Sequence, residues 1–210
     1  DVVEAINAGT APVAEPHLDD YLAAPDNDFT ASTTYDSVAA TDVTFVAVNT
    51  PSDSDGRYSL EYVEQVCRDV GAQIADKDDY HLVVVTSTVF PGSTDGPVVD
   101  WLEATSGKRV GEDFGLCYSP EFIAIGDVID ALERPDFFLV GEHDERSGDV
   151  LESVYHTMRL NDAPVVRMDP VEAEIAKMAV NSYVTMKISF ANTLAQICEG
   201  YGGHVDEVTA

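Results

Sequence analysis

The sequence predicts an α/β fold: a mostly parallel sheet covered on both faces, followed by one long helix. Short apolar runs rich in β-branched residues, such as "VTFVAV" and "HLVVVTSTVF", alternate with amphipathic segments. Runs of this length and composition are typical of strands buried on both faces, which need helical crossover connections. The segment from residue 169 onward differs, because a single apolar pattern runs without a breaker as far as Gly200.

The elements follow one another in regular order. Strands are expected at 29–35, 42–48, 81–89, 114–119, 136–141 and 163–168, and helices at 59–76, 96–104 and 144–158. The first residues, "DVVEAINAGTAPVAEPHLDDYL", begin as though already within a helix.

The final segment predicts a helix of about 30 residues, or about 45 Å. Asp169 is suited to the N-cap and Pro170 to the first helical position, and no breaker follows until Gly200. The helix is apolar on more than one face, so we expect it to be buried between other structures. The predicted domains are a partial nucleotide-binding domain at 1–168 and a spine helix, with the start of a further helical segment, at 169–210.

Charge is the unusual feature of the composition. Asp and Glu total 39 against 11 Lys and Arg, which gives a formal net charge of -28 spread along the whole chain. An acid-coated folded domain repels itself, and salt relieves that repulsion, so a salt-rich cytoplasm is the favoured setting; an ordinary acidic protein is the alternative. This composition argues against nucleic acid and anionic membranes as partners, because both require basic patches.

Cys67, Cys117 and Cys198 are widely spaced and lack C-x-x-C pairing, which argues against a disulfide framework or a metal site. No apolar run is long enough for a membrane span, and the N-terminus does not resemble a signal peptide. We therefore expect a soluble cytoplasmic protein without a metal.

Two loops that follow consecutive strands are candidates for ligand contact. Ligands of open α/β sheets bind at the carboxyl ends of the strands, where "VNTPSDSDG" supplies Asn49, Thr50 and Pro51. "TSTVFPGST" offers the hydroxyls of Ser87 and Thr88 after the next strand. Each loop alone could be an ordinary turn, but two in succession outline a crevice.

Two further segments carry candidate acid–base groups. Glu121, in "YSPEFIAIGD", follows a strand and is either a solvated acid or a general base that positions water. Lys177 and Asn181 lie four apart on one face of the final helix, and Glu174 precedes Lys177 by three. A bracing Glu–Lys pair is one interpretation. The other is a Lys–Asn pair that donates to a developing oxyanion or relays a proton during alcohol oxidation.

Five segments, in this order and spacing, resemble the nucleotide-sugar dehydrogenases and most closely the UDP-glucose 6-dehydrogenase group. They are "INAGTAPVAEPHLDDYL", "VAVNTPSD", "STVFPGST", "SPEFIAIG" with "PDFFLVGE", and "VEAEIAKMAVNSYVTMKISFANTLAQICEGYGGHVDEV". The resemblance implies a Rossmann-like NAD-binding domain joined to a central helix. It also implies oxidation of a sugar C6 alcohol to a carboxylate with two NAD, through an aldehyde held as a cysteine thiohemiacetal. The implied substrate is a nucleotide sugar, with UDP-sugars favoured, and the implied assembly is a homodimer through the central helix.

The resemblance assigns roles to individual residues. Lys177 and Asn181 match the pair that stabilises oxyanions and orders a catalytic water, and Thr88 matches the threonine that holds this water. Glu121 matches a general-base or water-positioning glutamate. The remaining assignments are Phe122 and Ile123 beside the nucleotide sugar, Thr50 beside NAD, and Lys187 in a structural or interface role. Asn49, Pro51, Ser87 and Thr88, on the same strand-end loops, are expected to lie along NAD with Thr50.

Three departures limit these assignments. Ile125 stands where the family often has a second glutamate, the sequence lacks the G-x-G-x-x-G turn that holds a dinucleotide pyrophosphate, and Cys198 does not match the family's C-F-P-K-D nucleophile. We therefore expect a fragment, cut at both ends and inactive alone. The alternatives are a β-hydroxyacid dehydrogenase relative, which shares the Lys–Asn spacing, and a non-catalytic remnant that only dimerises.

Overall fold

The computed structural model describes residues 2–24, 29–123 and 126–210. By compactness, the chain divides into two units, residues 1–174 and residues 175–210. The division into domains at residues 168 and 169 stays a prediction.

The first unit contains a five-stranded sheet. Its strands are β1 (Val43–Val46), β2 (Leu82–Val85), β3 (Gly115–Tyr118), β4 (Phe138–Glu142) and β5 (Val165–Met168), and they lie side by side in chain order. All neighbouring pairs are parallel except β3 and β4, which are antiparallel. The predicted α/β fold with a mostly parallel sheet is confirmed.

The described residues form eight α-helices, four of which connect successive strands; the one after β3 was not predicted. They are α1 (Val2–Asn7), α2 (Leu18–Ala23), α3 (Glu61–Ile74), α4 (Val99–Ser106), α5 (Val128–Glu133), α6 (Glu145–Met158), α7 (Pro170–Tyr201) and α8 (Val205–Thr209). A 3-10 turn at Asp36–Ala40 precedes β1, and a wide helical turn at Thr94–Val98 leads into α4.

The core includes the apolar face of α3 and the buried strands of the sheet. Helix α3 buries Val63, Cys67, Val70 and Ile74, a spacing of three and four residues that places them on one face. Strand β2 is buried along its whole length, as its "LVVV" sequence requires of a central strand covered on both sides.

The strand expected at 29–35 is wrong. This stretch has no regular secondary structure, and its backbone bonds to side chains instead of to a strand. Ala31 exchanges two hydrogen bonds with the Asn7 amide, at 2.8 and 3.0 Å, while the Ser32 and Thr34 hydroxyls bond within the segment. Local bonds of this kind compete with a sheet ladder, and β-propensity alone does not outweigh them.

Helix α7 has the predicted length, 32 residues. At the start of the helix, the Asp169 amide donates to Glu172 Oε2 at 3.2 Å. The helix runs through Gly200 and ends at Tyr201. Gly202 follows with a left-handed φ of 73°, and the Gly203 amide donates to the Cys198 carbonyl, which together cap the helix. The expected burial is not seen in this chain, because residues 179–193 are exposed. Among the described residues, no helix is long and apolar enough to cross a membrane.

Candidate functional site

The loops that follow β1 and β2 are joined by the hydroxyl of Ser87. Its Oγ donates to Val48 O at 2.7 Å and accepts from Val48 N at 2.8 Å. Ser87 is buried, so these bonds form away from water and fix the two loops to each other. These bonds therefore fix the position of the two loops at the carboxyl ends of the strands, where the crevice is expected.

Thr50 and Thr88 form a second connection between the same loops. Thr50 Oγ1 donates to the Thr88 carbonyl at 2.8 Å. Thr88 itself is half-buried, and its own hydroxyl has no hydrogen-bond partner among the described residues. A half-buried hydroxyl in this state can bond a ligand or a water without first breaking a protein contact.

The loop after β3 is anchored at its start and open further on. Ser119 Oγ donates to Leu139 O at 2.7 Å and lies 2.6 Å from Tyr155 Oη, and burial raises the pKa of Tyr155 to about 12. Glu121 is exposed at the end of this anchor. Phe122 packs against Phe137 with ring centroids 5.2 Å apart, which gives the loop an apolar side. Ile125 lies outside the described residues.

A cavity of about 420 Å³ opens beside this loop. The loop residues Glu121, Phe122 and Ile123 line it together with Ala47 and Thr86 from the ends of β1 and β2. The cavity is mainly apolar with a few polar groups, which is the usual character of a small-molecule site. Three of the expected substrate residues are thus gathered at one cavity in the first unit.

A second cavity, of about 460 Å³, lies at the end of β1 beside α3. It is lined by Tyr35, Ala47, Val48, Asn49, Tyr62, Gln65 and Val66. Ala47 lines both cavities, so the carboxyl end of β1 separates them. In open α/β sheets this end of the strands is where ligands bind, so the cavities agree with the two loops identified from the sequence.

The other two expected catalytic residues lie in the second unit, on α7. Lys177 is buried, with 9% of its surface exposed, whereas Asn181 is exposed. Both belong to one unbroken helix, so a separation of four residues places them on the same helix face. Lys187 lies over the ring of Tyr183 at 5.5 Å, a cation–π contact within the helix.

Two glutamates that the sequence did not assign to the site hold its loops. Glu174 is fully buried and accepts bonds from Gly92 and Thr94, in the loop after β2. Glu15 accepts from the amides of Gly126 and Val128, in the segment after β3. An acid within an apolar helix pattern, as at Glu174, is the one signal that would have indicated a buried carboxylate in need of donors.

The cysteines offer no nucleophile in this part of the molecule. Burial raises the pKa of Cys67 to about 12 and that of Cys117 still further, so both remain thiols. All three cysteines are buried and free. No group of three potential metal ligands occurs among the described residues.

The fold and these loops match a known family of dehydrogenases. Residues 1–159 match the NAD binding domain of the UDP-glucose/GDP-mannose dehydrogenase family, and residues 171–210 match the family's central domain. The chain belongs to the UDP-glucose/GDP-mannose dehydrogenase family. The resemblance inferred from the sequence is confirmed, and so is NAD as the cofactor of the family domain that the chain contains.

Individual relatives include two kinds of sugar dehydrogenase. The GDP-mannose 6-dehydrogenase of Pseudomonas syringae pv. tomato is 36% identical over 203 residues, covering 95% of this chain and 46% of the relative. The UDP-glucose 6-dehydrogenase of Haloferax volcanii is 37% identical over 211 residues, covering 99% and 49%. The chain thus spans about half the length of the curated relatives it matches.

Solved structures agree with this assignment. A GDP-mannose dehydrogenase ternary complex from Pseudomonas aeruginosa superimposes with a TM-score of 0.94 at 35% identity, covering 99% of this chain and 48% of the other. A UDP-glucose dehydrogenase from Pyrobaculum islandicum gives 0.91 at 38% identity, covering 99% and 47%.

Proposed function

We propose that a complete protein carrying this sequence oxidises the C6 alcohol of a nucleotide sugar to the uronate with NAD, as a UDP-glucose 6-dehydrogenase does. The observation that carries the proposal is the match of residues 1–159 and 171–210 to two successive domains of one dehydrogenase family. That match also favours this reaction over the β-hydroxyacid dehydrogenase alternative. We propose a salt-rich cytoplasm as its setting.

The loops after β1 and β2 support NAD as the bound cofactor. Asn49 lines one cavity at the end of β1, and Thr50 and Thr88 are bonded to each other beside it. Pro51 and Ser87 complete the set of residues proposed to lie along the cofactor. NAD, when bound, accepts the hydride that leaves the sugar C6; the protein supplies binding, orientation and acid–base groups.

Four residues are proposed to carry the acid–base work. Lys177 and Asn181 donate to the oxygen on which negative charge develops, since an ammonium and an amide are strong donors when held in place. Thr88 and Glu121 place the water that hydrolyses the C6 thioester formed when the cysteine thiohemiacetal is oxidised, and Glu121 takes the proton of this water. The nucleotide sugar lies along Phe122 and Ile123, on the apolar side of the same loop.

The homodimer through α7 is part of the proposal. Large apolar side chains, including Tyr183, Val184, Met186, Ile188 and Phe190, are exposed on this helix at 48–64% of their surface. Exposed apolar surface of this extent is rare on monomeric proteins and is typical of an interface. A second copy of the same helix would cover it symmetrically.

GDP-mannose is a second candidate substrate. It is favoured by a specific observation, because several relatives 35–37% identical to this chain are named GDP-mannose 6-dehydrogenases. Both candidates have a primary C6 alcohol on a nucleotide-linked hexose, so the residues above would serve either.

The test is an assay of the complete protein against UDP-glucose, GDP-mannose, UDP-N-acetylmannosamine and a small β-hydroxyacid, with NADH formation followed in molar salt. We expect one nucleotide sugar to dominate and to yield two NADH for each sugar oxidised. Turnover of the β-hydroxyacid alone would favour the other dehydrogenase class. A folded protein that oxidises none of them would favour the dimerising remnant.

A further inference from the structure

The loop that follows Thr88 makes a tight turn whose shape is set by its sequence. Ser93 N donates to Phe90 O at 3.0 Å, and Pro91 and Gly92 are the two central residues of the turn. Gly92 has a φ of 86°, the value that the third position of a type II turn requires, and proline favours the second position. The amides of Gly92, in this turn, and of Thr94, just after it, donate to a side chain outside the turn.

A single buried carboxylate accepts both of these amides. Glu174 Oε2 accepts from Gly92 N at 2.5 Å, and Oε1 accepts from Thr94 N at 2.8 Å and Thr94 Oγ1 at 2.7 Å. Glu174 and Thr94 are both fully buried. A buried carboxylate is unfavourable unless it is hydrogen-bonded, and bonds to an ionised acceptor are about twice as strong as neutral ones.

Using both oxygens gives this contact a direction as well as strength. Two separate acceptor atoms fix the loop against translation and against rotation about the carboxylate. Glutamine cannot replace the arrangement, because its NH2 group would face one of the donors. Aspartate is one methylene shorter, so the same two amides lie beyond its reach without a shift of the helix.

The location of the contact relates it to the proposed chemistry. The loop begins two residues after Thr88, and Glu174 lies on α7 one helical turn before Lys177. We propose that Glu174 is a positioning residue for the oxidation: by binding the 92–94 backbone it fixes the loop that carries Thr88 to the helix turn that precedes Lys177. The inference rests on the proposed function, because Thr88 and Lys177 are catalytic only there.

Kinetics of the complete protein test the inference through two pairs of variants. Glu174→Gln should lower kcat by about 10- to 100-fold, the range expected when a catalytic group is misplaced by about 1 Å, with a much smaller change in KM for NAD. Glu199→Gln, the same chemical change at an exposed position of α7, is the control and should leave kcat unchanged. Thr94→Val should also lower kcat. Thr94→Ser keeps the hydroxyl donor, so its kcat should stay close to that of wild type.

Hydrogen exchange separates this inference from the proposed function. Glu174→Gln should speed exchange at the amides of Gly92 and Thr94 whether or not the protein oxidises a sugar. If the wild-type protein is inactive and Glu174→Gln still exchanges faster than wild type, the result counts against the proposed function alone. An active wild-type protein whose Glu174→Gln variant exchanges faster but keeps its kcat would overturn the positioning role. If Glu174→Gln does not fold, the Thr94→Val and Thr94→Ser pair decides: equal kcat in both would also overturn it.

Discussion

Lysine is the scarcest basic side chain in this chain, and its few positions are informative. Of the four lysines, Lys77 donates to the carbonyls of Val38, Ala39 and Thr41, and Lys108 donates to the Lys77 carbonyl. Both use a compact ammonium to close a backbone segment. Lys177 is buried in an apolar helix, where an ammonium is costly and its retention calls for a specific task.

Replacing Lys177 should therefore affect chemistry more than folding. In the complete protein, Lys177→Ala should lower turnover by about 100- to 1000-fold, the usual effect of removing one preorganised donor to an oxyanion. Lys177→Arg should not rescue it, because a planar, permanently charged guanidinium cannot take the place of a compact ammonium. Steady-state rates with NAD and the preferred sugar measure the effect.

The matched control for that variant is Lys187→Arg, at an exposed position ten residues later on the same helix. It should leave turnover nearly unchanged. If Lys177→Arg kept most of the wild-type rate, the lysine would be better explained as one member of a bracing ion pair.

A buried histidine should make the stability of the first unit depend on pH. His81 is fully buried, with Nδ1 2.8 Å from Thr41 O and Nε2 2.9 Å from Thr44 Oγ1, and burial lowers its pKa in the folded state. Below about pH 6.5 the unfolded chain therefore binds a proton at His81 that the folded chain does not bind. His81 thus stabilises the fold above that pH, and this stabilisation is lost as the pH falls.

Denaturant unfolding between pH 8 and 5 should show that the free energy of unfolding depends less steeply on pH for His81→Asn than for wild type. His204→Asn, at an exposed position, should keep the wild-type slope; equal slopes for all three proteins would contradict the prediction.

At the level of elements, the sequence was informative wherever structure depends on local pattern. Strands β1, β2, β3 and β5 fall inside their expected apolar runs, and β4 extends one residue beyond its run. The helices α3, α6 and α7 begin within two residues of their expected starts. The 29–35 segment was misassigned, because its Thr- and Ser-rich residues have β-propensity and yet bond locally and to Asn7. No local pattern indicates such a partner, which lies 24 residues away.

Contacts that shape the candidate site are even less local. Glu174 reaches amides 80 and 82 residues away, and Glu15 reaches amides 111 and 113 residues away. The sequence identified the strand-end loops and the residues on them, because parallel strands put such loops at one edge. It could not identify which of the chain's many acids hold these loops, since the choice depends on the complete tertiary structure.

Glu15 provides a test of these loop contacts at the level of an element. Its oxygens accept from Gly126 N at 3.0 Å and Val128 N at 2.7 Å, where α5 begins. Glu15→Ala should speed hydrogen exchange at both amides by about tenfold or more, because a hydrogen bond to a charged acceptor contributes about 1.5–3 kcal/mol. Glu207→Ala, at an exposed position in α8, is the control; protection of residues 126–128 that is unchanged in Glu15→Ala would show that other contacts hold this segment.

On the scale of the whole molecule, one of the few cations is shared among several acids. Arg167 bonds Glu142, Asp149 and Glu152 at 2.6–3.0 Å, and its pKa is raised by the Asp149 and Glu142 carboxylates. One guanidinium thus offsets three acids of β4 and α6. The chain has 39 acids against 11 Lys and Arg, so the acids outnumber these cations by 28 and the formal charge of -28 remains as self-repulsion.

Salt should therefore stabilise this fold. The distance over which charges interact falls from about 10 Å at 0.1 M to about 3 Å at 1 M salt, so repulsion between surface carboxylates is largely screened in molar salt. Each kcal/mol of relieved repulsion raises the thermal midpoint of a domain of this size by about 2–4 °C. Thermal unfolding of the 210-residue chain, followed by circular dichroism in KCl from 0.1 M upward, should show a midpoint that rises steadily.

A variant in which the exposed Glu61, Glu199 and Glu207 become glutamine carries three fewer negative charges, so it should start from a higher midpoint at low salt and gain less from added KCl. A wild-type midpoint that stays flat or falls over this range would remove the high-salt setting from the interpretation of the sequence.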